Sequence, residues 1–404
     1  MDRYDVIVIG GGPIGAVAAR EAAKAGARTL LLEQRKEIKG PIACTGLVSP
    51  RTLATLGASS RSILREIRAV RAHSPRGRRL SLRSLEVKGV VIDRISLEEE
   101  LLSSAGSAGV EVLLGTEGRV GEGGRVTLIS RGGEERVGAG VVIGADGPKS
   151  RVAAGSGLSP AAAPLPAAQA IVEGAPTEDM VEVYFGWDLA PGFFAWAVPA
   201  EPDRSRVGLA VPPGENPQRF LDRLLTDRFP SNRVLSRASG FIPSRPVDRS
   251  IDDRLILVGD AAGQVKPLTG GGLYFGGLCA AIAGRVAAGA ALSGRTDRAG
   301  LTEYEVRWRA ALGTEIRFGL AGREALLPLD DDGIDEIFAR LDDPELLTFI
   351  AETADIDRPS RLISTLVHRP WLWERVLPII GIMDERRRAK AELEPLGRRR
   401  KNAL

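Results

Sequence analysis

The chain is poor in the residues that build stapled or metal-centred proteins. Its 404 residues include two cysteines, Cys44 and Cys279, too few for a disulfide framework or a four-cysteine iron–sulfur cluster. The two histidines, His73 and His368, lie far apart with no ligand pattern around them, so no metal site is expected. An excess of one charge is missing too. Lys and Arg number 55 against 52 Asp and Glu, and a net +3 gives no case for a nucleic-acid partner. The one apolar stretch of near-membrane length, residues 273–292, is Ala/Gly-rich and carries Arg285, which suits a buried core helix better than a span. Asn, Gln and Met are scarce and Arg greatly outnumbers Lys. A GC-rich genome and the loss of heat-labile residues would both leave that mark. Met1 runs straight into the first apolar strand, with no room for a signal peptide. The expectation is a cytoplasmic protein, at most peripheral on the inner face of the cell membrane. A chain this long, 44% hydrophobic, is expected to divide into two or three subdomains.

What is present is organised around residues 4–33. Val6, Ile7, Val8 and Ile9 form an apolar run of the kind found in parallel strands buried on both faces. Gly10, Gly12 and Gly15 follow at G-x-G-x-x-G spacing, with Pro13 and Ile14 between them, and an Ala-rich helix then runs to Gly26. A second apolar strand ends on Glu33-Gln34. In such a unit the first glycine makes the turn, the second admits a pyrophosphate, and the third packs helix on strand. The helix N-terminus then faces the pyrophosphate, and Glu33 stands where a ribose hydroxyl would donate to it. This segment binds a dinucleotide.

Along the chain, Ser49 is placed to cap a short helix that stops at Gly57. Alternating apolar residues suggest three short strands between 67 and 93, and Ser96 with Glu99 suggests a capping box for the helix that follows. Residues 137–147 read as a central strand ending on Ala145-Asp146-Gly147. After a Pro/Ala-rich linker from Ser159, alternating strands between 168 and 211 suggest an antiparallel sheet with one buried face, then an amphipathic helix over 216–228. The tail RRRKNAL reads as disordered. The fold class is α/β (α+β overall): a Rossmann-like FAD-binding domain with an inserted antiparallel-sheet substrate domain and a C-terminal helical region. The expected divisions are 1–75, 92–158 and 248–292 for the first, 76–91 and 159–247 for the second, and 293–404 for the helices and their basic tail.

Two later stretches agree with the first. Gly259-Asp260-Ala261-Ala262-Gly263 closes another apolar strand, placing Asp260 to bind ribityl hydroxyls. Gly270, Gly271 and Gly272 just beyond leave backbone N–H groups free to meet a flat ring, with a helix starting at Leu273. With Arg94 ahead of its own helix, this ordered set identifies the cofactor as FAD. No second glycine-loop domain is present to hold NAD(P) tightly.

The arrangement resembles the FAD-dependent aromatic-hydroxylase superfamily over about the first 290 residues, and within it most closely the geranylgeranyl reductase family. Two local signatures carry the narrower likeness. One is Pro41-Ile42-Ala43-Cys44, followed by Thr45-Gly46. The other is Phe194-Ala195-Trp196-Ala197-Val198-Pro199, where the family more often has Tyr first and Phe fifth. The resemblance implies FAD contacts at Ile14, Glu33, Cys44, Thr45, Arg94, Gly118, Asp260, Gly272 and Leu273; Gln34, Gly46, Asp146 and Gly271 adjoin these and complete the expected set. It implies saturation of isolated C=C bonds in prenyl chains, the lipid being held by Tyr184, Phe194, Trp196 and Pro199. Those aromatics equally suit the core of the second sheet. Cys44 is the candidate catalytic residue, as proton donor or as a small residue packed by the ring. A prenyl lipid, an electron donor (NAD(P)H or a ferredoxin) and a membrane surface are the implied partners. A flavin monooxygenase on the same scaffold and a non-catalytic prenyl-binding protein are the alternatives.

Overall fold

The computed structural model describes residues 2–40, 42–158, 164–174 and 179–401, with side chains to residue 388. Pro41, the start of the Pro/Ala-rich linker and the last three residues of the tail lie outside the described residues. The chain forms two compact units. The first comprises Met1–Leu64, Ile92–Leu165 and Phe241–Ile316, the second Arg65–Val91, Pro166–Gly240 and Arg317–Leu404.

The first unit is built on a largely parallel sheet. Its strands run in the order Ile251–Asp252, Leu255–Leu257, Gly133–Gly144, Arg3–Ile9, Thr29–Glu33 and Glu111–Leu114. Val6 pairs with Val141 and Thr29, and Leu31 with Val112. These strands are continuous apolar runs because both faces are covered, one by the helices Pro13–Lys24 and Leu273–Ser293 and the other by the strands Glu117–Val120 and Arg125–Ser130; Ile7, Leu30, Leu31 and Ile143 are all fully buried. Strands Glu117–Val120 and Arg125–Ser130 fold back antiparallel on the long Gly133–Gly144 strand. The helices Pro13–Lys24 and Leu273–Ser293 pack together. Among the described residues the second is the one helix long and apolar enough to cross a membrane, yet most of it is buried against the rest of the protein. A Cβ at Gly284 would strike the Ala18 carbonyl and the Ala22 nitrogen of the other helix. Gly284→Val is therefore expected to lower stability by about 1–3 kcal/mol or more, read as a fall in the denaturant midpoint; an unchanged midpoint would show that the helices can part without cost.

The second unit holds a seven-stranded sheet, in the order Val234–Ile242, Leu165–Glu173, Arg204–Ala210, Ala195–Pro199, Met180–Tyr184, Ala69–His73 and Arg79–Arg83. Alternation puts Ala170, Val172, Ala195, Ala197, Val207 and Leu209 on one face, against Leu221, Leu224 and Leu225 of the helix Pro217–Arg228. The sheet is not purely antiparallel, because Met180–Tyr184 runs parallel to Ala69–His73. That pairing moves residues 65–75, expected with the nucleotide domain, into the second unit.

The C-terminal helices do not form a body of their own. The unit division falls inside the helix Arg298–Leu326. Its first half belongs to the first unit, where Tyr304 Oη donates to the Leu257 carbonyl (3.0 Å) and Trp308 Nε1 to Ser250 Oγ (3.1 Å). The remaining helices join the second unit, through Ser74 Oγ to Asp335 (2.5 Å) and Trp187 Nε1 to the Leu329 carbonyl (2.7 Å). Two local expectations also change. Asp93, not Ser96, caps the helix Arg94–Ser107, accepting from the Ile95 nitrogen (3.0 Å) and from Ser96 Oγ (2.6 Å), because helical geometry already starts at Arg94. The final helix continues to Lys401, into the tail expected to be disordered.

Candidate functional site

The glycine loop has the geometry its spacing implies. Gly10 sits at φ +110°, and a Cβ there would collide with the Ala145 carbonyl. A Cβ on Gly15 would collide with the Gly10 carbonyl, whereas nothing lies within 4 Å of one on Gly12. The position that must admit a pyrophosphate is thus the open one. Pro13 occupies the first helical position, where its missing N–H costs nothing, and no side chain caps this helix. Ile14 fills the gap left by Gly259 and Gly276, whose Cβ atoms would meet it. Glu33 ends its strand buried, accepting from the Gly11 nitrogen (2.8 Å) on one oxygen and from Arg35 N (2.8 Å) and Nε (3.1 Å) on the other. Arg35 Nη2 also reaches the first oxygen, at 3.5 Å, so all four acceptor positions of the carboxylate meet a donor, and this longest contact is the one a ribose hydroxyl would displace.

From Glu33 a line of alternating charge runs through the first unit. Arg35 also donates to Glu98 Oε2 (3.0 Å), and Glu98 Oε1 accepts from Arg94 Nη2 (2.7 Å). Burial works against the Arg94 charge, but the Cys44 sulfur and Glu98, both hydrogen-bonded to the guanidinium, raise its pKa above the ordinary value. Its Nε–H is buried with no acceptor among the described residues. Asp260 completes the group: burial raises its carboxyl to about 6, with the Arg94 charge pulling the other way. Glu98 and Arg35 escaped sequence reading, although Glu98 stands four residues after Arg94, the spacing of a helical ion pair.

At the start of the helix Leu273–Ser293 no side chain caps the first turn. A Cβ on Gly272 would come within 2.7 Å of Asp260 Oδ1, and one on Gly271 within 2.5 Å of Lys266 Cε. These glycines let the helix start close against the Asp260 carboxylate. Thr45 and the buried Gly46 (φ +73°) follow the half-exposed Cys44, and Gln34 is exposed beside Glu33. Two other expected contacts have structural work. Both oxygens of Asp146 are engaged in starting the helix Arg151–Gly155, from Ser150 Oγ (2.6 Å) and the Arg151 and Val152 nitrogens (2.7 and 3.1 Å). Gly118 is buried where a Cβ would strike Leu32 and Ile9, so packing alone accounts for it. Cys279 is a fully buried core residue.

The residues fit FAD, on two observations: the buried Arg94 Nε–H, unpartnered among the described residues, and the Asp260 carboxyl, whose pKa burial raises despite the Arg94 charge. A carboxyl whose folded pKa exceeds its unfolded value binds its proton more tightly when folded. Between roughly pH 4 and pH 6 it therefore removes stability as pH rises. In the apoprotein, Asp260→Asn should raise Tm at pH 7 and flatten the decline across that window; an unchanged Tm profile would contradict this environment.

In the second unit the expected lipid contacts separate. Tyr184 is core: its ring stacks on His73 (4.5 Å, 17°) and its hydroxyl donates to Glu182 (2.5 Å). His73 and, less strongly, Tyr184 and Arg71 hold the Glu182 carboxyl down at about 2, against its burial. Pro199 is buried at its strand end, opposite Ser205. Phe194 and Trp196 are half-buried, 6.1 Å apart edge to face, and Phe193 stacks on Phe194 at 4.3 Å. The indole of Trp196 lies against Gly208, where any Cβ would meet it at 2.7 Å.

Comparison with known proteins identifies the family. Residues 3–315 match the FAD binding domain family. The chain is 35% identical over 361 residues to digeranylgeranylglycerophospholipid reductase 2 of Methanothermobacter thermautotrophicus, covering 85% of this chain and 93% of that protein. It is 33% identical to the digeranylgeranylglycerophospholipid reductase of Methanothrix thermoacetophila, covering 83% and 90%. Among solved structures, a geranylgeranyl bacteriochlorophyll reductase-like protein of Thermoplasma acidophilum superposes with a TM-score of 0.82 at 24% identity, over 95% of this chain and 100% of that one. A p-nitrophenol 4-monooxygenase of Pseudomonas putida superposes with a TM-score of 0.69 at 18% identity, over 87% and 98%. The two structural likenesses establish the shared fold. The chain binds FAD and belongs to the FAD binding domain family and, within it, to the digeranylgeranylglycerophospholipid reductase family.

Proposed function

We propose that the protein is an FAD-dependent reductase of isolated C=C bonds in geranylgeranyl chains, its substrate an archaeal-type ether phospholipid. The observation that carries this reading is full-length similarity to relatives named for that lipid, in a chain whose Glu33, Arg94 and Asp260 are intact. When bound and reduced, FAD supplies hydride; an isolated alkene has no carbonyl to stabilise a carbanion, so a proton must reach the other carbon. Cys44 Sγ is our candidate for that proton, and the Arg94 guanidinium beside it would stabilise the anion left behind. Glu33 and Asp260 orient the cofactor, and the half-buried aromatics of the second unit suit an apolar chain. The donor we propose is a ferredoxin or a transiently bound NAD(P)H. The test is anaerobic incubation of the holoenzyme with a geranylgeranyl phospholipid and each donor, followed by mass spectrometry. A gain of about 2 Da per double bond without oxygen supports the reductase, and product that forms only in air supports a hydroxylase.

We further propose that the protein works in the cytoplasm, peripherally on the inner face of the cell membrane. Support comes from the C-terminal helices, whose apolar residues divide. Leu366, Leu372, Ile379 and Ile382 form a helical core, while Val367, Trp371, Leu377 and Ile380 are exposed among arginines. That pattern suits an anionic bilayer. The double variant Trp371→Glu, Leu377→Glu should lose flotation with anionic vesicles; equal flotation would contradict docking through these helices.

A further inference from the structure

We propose that Arg323 is the seat for the phosphate of a phosphorylated prenyl lipid, at the head of an aromatic row formed by Phe193, Phe194 and Trp196. The lipid assignment rests on the function proposed above; the anion site rests on the second unit alone.

Arg323 lies on the helix Arg298–Leu326 and is half-buried. The other arginines withdrawn from solvent have oxygen partners. Arg20 donates to the Leu56 carbonyl, Arg35 to Glu33 and Glu98, Arg94 to Glu98, and Arg206 to Glu201. Arg323 has no hydrogen bond or ion pair among the described residues. What it has is the ring of Phe193, 5.5 Å from its guanidinium carbon. Burial disfavours its charged form, and no carboxylate offsets this. A cation–π contact returns a fraction of what desolvating a guanidinium costs. The side chain is thus partly withdrawn from water against an aromatic ring with its fork of donors unmatched by protein, which is the condition of a site built for an anionic ligand.

The row beside it specifies what kind. Phe193 stacks on Phe194 (4.3 Å, 15°), and Phe194 meets Trp196 edge to face (6.1 Å). The Trp196 Nε1–H is a second donor without an acceptor among the described residues, also buried. A free phosphate would use the arginine and leave the rings idle. A prenyl alcohol would use the rings and leave the arginine unpaired. An amphiphile with a phosphate at one end and a prenyl chain along the rings satisfies both.

The test is equilibrium binding to the oxidised holoenzyme of three probes: geranylgeranyl phosphate, geranylgeraniol and inorganic phosphate. The wild type should bind the phosphorylated lipid at least about ten-fold more tightly than the alcohol. Arg323→Gln, with wild-type flavin content, should bring that ratio close to one, and Arg323→Lys should keep part of it as a point charge. A ratio unchanged in Arg323→Gln, or equal weakening of both lipids, overturns the proposal and leaves Arg323 as packing for Phe193. Inorganic phosphate binding as tightly as the phosphorylated lipid overturns the lipid assignment. If the wild type prefers the phosphorylated lipid yet never saturates it, the phosphate seat stands and the reductase reading fails, so the two are separable.

Discussion

Glu98→Ala is expected to lower the unfolding free energy by about 3–5 kcal/mol and to leave the purified protein largely free of FAD. Glu98 is 2% exposed. It accepts from Arg94 on one oxygen and Arg35 on the other, so removing it strands two guanidinium groups in one step. Arg35 then has Glu33 alone, and the Glu33 carboxylate loses the brace that fixes its partner. Arg94 loses its carboxylate while remaining beside Cys44 and Asp260. Glu98→Gln keeps the shape and one acceptor, so it should fall between wild type and Ala in both denaturant midpoint and flavin content. A Glu98→Ala protein with normal flavin and an unchanged midpoint would show that the charge line is ornamental.

The second large effect is expected at Cys44. Cys44→Ser preserves size and leaves a hydroxyl, a far poorer proton donor than a thiol. If Sγ protonates the alkene, the rate at which lipid reoxidises the reduced holoenzyme should fall by about 10²–10⁴, the usual worth of a positioned general acid, with flavin content unchanged. Cys44→Ala should match it. Reoxidation at the wild-type rate in either variant would return Cys44 to a packing role.

The nucleotide-binding half of the fold was legible because its determinants are local. The glycine spacing, the apolar run of Val6–Ile9 and the terminal Glu33 lie within one supersecondary unit, and each occupies the position its chemistry requires. Sites read from single strand ends were less secure. Asp146 looked like Asp260, a carboxylate after a buried strand, but Ser150 and the next two backbone nitrogens claim it. Nothing in its own dipeptide shows that. Partners remote in sequence were hidden for the same reason. The Arg35–Glu98 pair spans 63 residues, and the parallel pairing of Ala69–His73 with Met180–Tyr184 spans more than a hundred. Alternation marks a strand and one buried face; it says nothing of which neighbour the strand takes. Arg323 was invisible because what distinguishes it is the absence of a partner in three dimensions.

Reducing equivalents held by this protein are expected to pass to an isolated alkene. The most direct test is a single turnover: reduce the holoenzyme with dithionite without oxygen, remove the excess, add a geranylgeranyl phospholipid, and follow the flavin absorption while sampling the lipid for mass. The oxidised-flavin spectrum should return on lipid addition, with a matching gain of about 2 Da for each bond saturated. A flavin that stays reduced until air is admitted, with lipid of unchanged mass, would contradict it.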